Sequence, residues 1–96
     1  MQKVKNMKFK YYTVYGNPKP FDSSDEMKKM MEKFGKVIEK YGMKLKFWGG
    51  SFGTTEGFVY VMKGSMESYQ SLYGNADYRD ANPIATGQRT NMVLEF

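Results

Sequence analysis

The residue types that usually carry catalysis are thin in this sequence. His and Cys are both absent from its 96 residues. That removes the usual general base, the common haem and metal ligands, and a thiolate nucleophile. No two carboxylates are brought together by spacing, so no acid–base pair can be assigned. Gly49-Gly50-Ser51-Phe52-Gly53 lacks the Lys-Ser/Thr ending and the following helix of a phosphate-binding loop, and its glycines read as turn formers. Neither a metal nor a cofactor is expected. What the chain does have is rings: 17% of it is Phe, Trp or Tyr, with nine Met besides. Rings gathered on one surface stack on flat apolar ligands, on nucleobases, or on the rings of a second copy.

The rings must be positioned by regular elements. Phe58-Val59-Tyr60-Val61-Met62, with Gly57 before it and Gly64 just beyond, is a short continuous apolar run. Such a run reads as a strand covered on both faces. Met7 to Tyr15 alternates and reads as a strand, as do Met43 to Trp48 and Thr90 to Phe96. Ser23 with Glu26 three residues later is a capping box. Met27, Met30, Met31, Phe34, Val37, Ile38 and Tyr41 follow at steps of three and four, and Gly42 stops them. The spacing predicts one helix over Ser24–Tyr41 and, behind Ser65, a second over Met66–Tyr73. Asn75 to Gln88 is long for a loop, and Asp77, Tyr78, Arg79 and Asp80 are expected to form a short helix against a partner subunit.

The order strand, helix, strand, strand, helix, strand predicts a single α+β domain over residues 1–96 with the ferredoxin-like βαββαβ arrangement. Its four-stranded antiparallel sheet would carry both helices on one face. Alternation assigns Met7, Phe9, Tyr11, Leu45, Phe47, Val59, Val61, Met92, Leu94 and Phe96 to the helix side. The open side would hold Lys10, Tyr12, Val14, Lys46, Trp48, Phe58, Tyr60, Met62, Asn91, Val93 and Glu95. That open side is too apolar to face water alone. Its expected role is to line a small apolar cavity with Tyr12, Trp48, Phe58, Tyr60 and Met62, while Asn91 and Lys10 orient a ligand.

A net charge of +5 is mildly basic. Lys29, Lys33, Lys36 and Lys40 form a stripe on the first helix, but Glu26, Glu32 and Glu39 lie beside them, as on a solvated face. No apolar run approaches a membrane span and no signal peptide is read, so a cytoplasmic protein is expected.

The long first helix, the Trp48-Gly49-Gly50-Ser51-Phe52-Gly53 turn and the segment after the second helix resemble the dimeric α+β barrel superfamily. The resemblance implies a homodimer in which two sheets face each other and enclose a barrel. Members of that superfamily include cofactor-free monooxygenases, isomerases, ligand-sensing domains and haem enzymes. The haem branch needs an axial His that this chain lacks. Monooxygenase-like chemistry would draw on Asn91, Trp48 and Arg89. A second resemblance is to RNA-recognition motifs. Glu56-Gly57-Phe58-Val59-Tyr60-Val61-Met62-Lys63 keeps the Gly, two aromatics and an aliphatic of their third strand, with Tyr12 in place of the first-strand ring. It implies single-stranded RNA binding on the open sheet face. The expectation carried forward is a homodimer with a small apolar ligand, with nucleic-acid binding as the alternative.

Overall fold

The structure is a computed structural model that describes residues 8–51 and 56–95, with side chains at 10–51 and 56–94. Expectations placed on Met7, Phe52, Gly53 and Phe96, and on the side chains of Phe9 and Glu95, lie outside these residues.

The chain forms β1 (Lys8–Pro18), α1 (Ser24–Glu39), β2 (Lys44–Gly50), β3 (Phe58–Lys63), α2 (Met66–Leu72), α3 (Ala76–Ala81) and β4 (Ile84–Glu95). The four strands make one sheet in the order β2-β3-β1-β4, and every neighbouring pair is antiparallel. This is an α+β fold.

The start of α1 follows from its cap. The Ser23 hydroxyl accepts from Glu26 N at 3.1 Å, and the Glu26 carboxylate reaches back to Asp22 N at 3.1 Å. The end of α1 follows from Gly42, whose φ of 87° suits a residue without a Cβ. Gly42 N donates to Glu39 O and Met43 N to Ile38 O, both at 3.1 Å. These two bonds satisfy carbonyls that the helix leaves free. Met27, Met31, Phe34 and Ile38, at steps of four, three and four, are buried against the sheet.

β4 begins at Ile84, six residues before the alternation at Thr90 becomes visible, and α3 fills the segment read as a long loop. Asn75 caps α3 by accepting from Asp77 N at 2.8 Å. The short helix expected there is present, but it packs on its own chain. Tyr78 is buried 5.9 Å from the Phe34 ring, and Tyr41 Oη donates to Asp77 Oδ2 at 3.1 Å.

The assignment of sheet faces is reversed in β1 and β3, whereas β4 keeps the expected one, with Met92 on the helix side and Asn91 and Val93 on the open side. Tyr12, Val14, Phe58, Tyr60 and Met62 form the core beneath the helices with Phe34, Ile38 and Leu72. Tyr11, Thr13, Tyr15, Val59 and Val61 lie on the uncovered face. Both parities of β3 are apolar, so alternation does not say which side is covered. The larger rings fill the deep layer between sheet and helices. A bulge also breaks the alternation in β2: Leu45 pairs with Met62 and Phe47 with Val61, leaving Lys46 unmatched. Phe47 therefore turns to the open face, 59% exposed, while Leu45 and Trp48 pack against the core.

Candidate functional site

Two places in this fold gather side chains in ways that bear on function. The first is the uncovered sheet face. Tyr11, Thr13 and Tyr15 from β1, Val59 and Val61 from β3, Phe47 from β2 and Val93 from β4 line a shallow trough of about 550 Å³, with Gly50 and Ser51 at its end. The Arg89 guanidinium lies over the Tyr15 ring at 4.3 Å, and its Nε donates to Glu56 Oε2 at 3.1 Å. Arg89 Nη1 also donates to Asn91 Oδ1 at 3.4 Å. Lys63 Nζ sits 5.6 Å from the Tyr11 ring centre. The face is thus an apolar, ring-bearing floor with cationic groups against two of its tyrosines.

The second is a buried polar ring between β3, α3 and β4. Ile84 N–H can only donate, and it reaches Asn82 Oδ1 at 3.1 Å, which fixes the orientation of that amide. Tyr60 Oη donates to the same oxygen at 3.1 Å. With its one proton so used, Tyr60 must accept from Tyr78 Oη, 2.9 Å away. Asn82 Nδ2 donates to Gln88 Oε1 at 2.7 Å, and Gln88 hydrogen-bonds back to Tyr78. The four side chains close a circuit in which each donates to the next. Burial pushes the Tyr60 phenol well above the ordinary tyrosine range, and the neighbouring Tyr78 adds to this. Burial likewise raises Tyr78, against the opposing pull of the Gln88 amide that donates to it. Both phenols stay neutral, and neither is poised as a base near pH 7.

The seven residues expected to line one cavity do not meet in this protomer. Tyr12 is stacked on Tyr69, with ring centres 4.3 Å apart and planes within 4°. Tyr60 meets Phe34 edge to face at 4.8 Å. Phe58 and Met62 are buried beside them, and Trp48 leans on Phe58 at 6.2 Å. All five belong to the helix side. Asn91 is exposed on the opposite face, and Lys10 is half-buried at a second bulge, where β1 slips against β4 between Phe9 and Tyr11. Asn91 and Arg89 are together, but Trp48 is across the sheet from them, so the trio expected for oxygenation is split. The rings that carried the resemblance to RNA-recognition motifs, Tyr12, Phe58 and Tyr60, are at most 4% exposed and unavailable to bases. Sequence reasoning missed the polar ring. Its one signal was Asn82, placed four residues after Tyr78 and just before Pro83, where α3 ends.

Among the described residues, no three or more carboxylates gather as a metal site, and no helix is long and apolar enough to cross a membrane.

No protein-family model matches the chain, and no curated protein does. Among solved structures, it is similar to a protein of unknown function from Rhodopseudomonas palustris, a structural genomics target. The two are 16% identical with a TM-score of 0.53 over 96% of this chain and 87% of that one. This likeness speaks to the fold alone.

Proposed function

We propose that the chain is the protomer of a small homodimer of the dimeric α+β barrel kind, and that it works by binding rather than by catalysis. The ferredoxin-like part of this proposal is supported by the split connections: β3 lies between the strands of the β1–α1–β2 unit, and β1 between those of β3–α2–β4. In this reading α3 is an addition before the last strand.

The observation that carries the dimer is the uncovered sheet face. Val61 and Val59 sit in its centre, and Phe47 and Val93 are left 59% and 48% exposed at its sides. A face with so little polar cover calls for a partner. A second copy about a two-fold axis offers the same surface in complementary orientation. Four strands about 4.8 Å apart and about five residues deep give a footprint of roughly 300 Å². A standard interface takes roughly 800 Å² of accessible surface per partner. The corrugated face falls short of that alone. The stretch where β1 and β4 pair beyond the end of β3, out to Lys8 and Glu95, supplies further contact. The expected dimer is therefore of micromolar rather than nanomolar strength. Pairing would close the two troughs into a cavity suited to a small apolar ligand.

Sedimentation velocity over about 1 to 100 μM tests this. The expected result is a dimer that Phe47→Lys dissociates, since that side chain is already solvent-exposed in the protomer and its replacement leaves the core intact. A monomer across the whole range would refute the proposal.

A further inference from the structure

On the helix side of the sheet, α2 and the edge strand β4 leave a groove of about 700 Å³ between them. Met66, Tyr69 and Tyr73 form one wall and Gln88, Thr90 and Met92 the other. Among the described residues, six large hydrophobic side chains are exposed, and three of them, Met66, Tyr73 and Met92, stand around this groove. That concentration marks it as more than scattered surface apolarity.

The walls are held from behind. Tyr69 is fixed by its parallel stack on buried Tyr12. Gln88 is fixed by the Asn82 amide at 2.7 Å and by its bond to Tyr78. Their positions are thus set before any ligand arrives, which lowers the ordering cost of binding. No side chain in the lining is charged. An ionic ligand would lose hydration there without gaining a counter-charge. Gln70, Gln88 and Thr90 instead offer neutral amide and hydroxyl groups, and the two thioethers and two phenol rings suit the faces and edges of an aromatic system. The volume lies within the usual range for small-ligand sites.

We propose that this groove binds a neutral aromatic compound of one or two rings bearing a hydroxyl or carbonyl group. The site is on the opposite side of the sheet from the open face, so it exists in a monomer and a dimer alike, and the fate of one proposal does not decide the other.

The test is a titration of the full chain, labelled with ¹³C at the methionine methyls, with 2-naphthol. Saturable shifts are expected at Met66 and Met92, with Met27, Met31 and Met43 unmoved because they are buried away from the groove. Naphthalene-2-carboxylate should bind at least about tenfold more weakly, for want of a counter-charge. Met92→Glu, at a position already 46% exposed, should weaken 2-naphthol by about tenfold or more while leaving the fold intact. Thr90→Val should weaken 2-naphthol but not naphthalene. The proposal is overturned by the absence of a saturating shift at either methyl, by equal affinity for the carboxylate, or by all the methionines moving together. It is also overturned if the Met66 and Met92 signals change with protein concentration without ligand, because a second copy would then occupy the groove.

Discussion

Replacing Tyr60 with Phe removes one oxygen from the buried ring and leaves the shape of the core unchanged. Two hydrogen bonds go: the one Tyr60 gives to Asn82 and the one it receives from Tyr78. Each contributes about 0.5–1.5 kcal/mol net. The consequences for the two partners differ. Asn82 Oδ1 keeps the Ile84 N–H, but the Tyr78 hydroxyl becomes a buried donor with nothing to receive it. An orphaned donor of this kind costs about 1–3 kcal/mol. The expected loss is therefore roughly 2–4 kcal/mol, a large share of the roughly 5–15 kcal/mol that holds a domain folded. Tyr78→Phe should cost less, since it leaves Tyr60 still donating to Asn82 and frees only a Gln88 amide hydrogen near the surface. The double variant should be no less stable than Tyr60→Phe alone, because it removes the orphan along with its lost acceptor. Urea unfolding followed by Trp48 fluorescence measures all three, the midpoint shifting at constant slope. Simple additivity in the double variant, or a loss below about 0.5 kcal/mol in Tyr60→Phe, would refute the donor directions assigned here.

The same phenols predict alkaline sensitivity. Burial raises both above the ordinary tyrosine value, so above about pH 10 the unfolded chain releases protons that the folded chain retains, and stability must fall as pH rises. The contribution is fully present below that pH; a urea midpoint that stays flat from about pH 9 to 11 would contradict it. Gly35 lies within α1, and a methyl there would meet the Leu45 side chain at 3.7 Å, an ordinary contact. Gly35→Ala should therefore raise stability by about 0.5–1 kcal/mol, read as a higher thermal midpoint, and a loss would mean that α1 sits closer to the sheet than this geometry gives.

Local signals were legible in the sequence where the chain stops or starts an element. Ser23, Glu26 and Gly42 bound α1 because capping and left-handed closure depend on single side chains. The faces of the sheet were not legible in the same way. Phe58, Tyr60 and Met62 alternate with Val59 and Val61, and hydropathy cannot rank two apolar sets. The extra residue at Lys46 then changes parity inside β2, so Leu45 and Phe47, two apart, point to opposite sides. The early start of β4 was hidden for another reason. Ala85-Thr86-Gly87-Gln88 has no alternation, Gly87 has a φ of 68°, and the strand is held there by pairing with Asn17 and Pro18, 69 and 66 residues away in the chain. Five candidate ligand residues, Tyr12, Trp48, Phe58, Tyr60 and Met62, inherited the face error: they were identified as a group, but the group they form is the core.

The polar circuit has a further property that follows from its closure. The hydroxyls and amides of Tyr78, Tyr60, Asn82 and Gln88 point head to tail around a loop, so their dipoles turn around it rather than adding along one direction. An α-helix sums its peptide dipoles along one direction and projects a field beyond its ends. This loop has no such single axis. Reversing the loop would turn every dipole around, but Ile84 N–H demands the Asn82 carbonyl oxygen and permits one sense of circulation. A single backbone amide thus gives the interior of this protein a fixed handedness of proton arrangement.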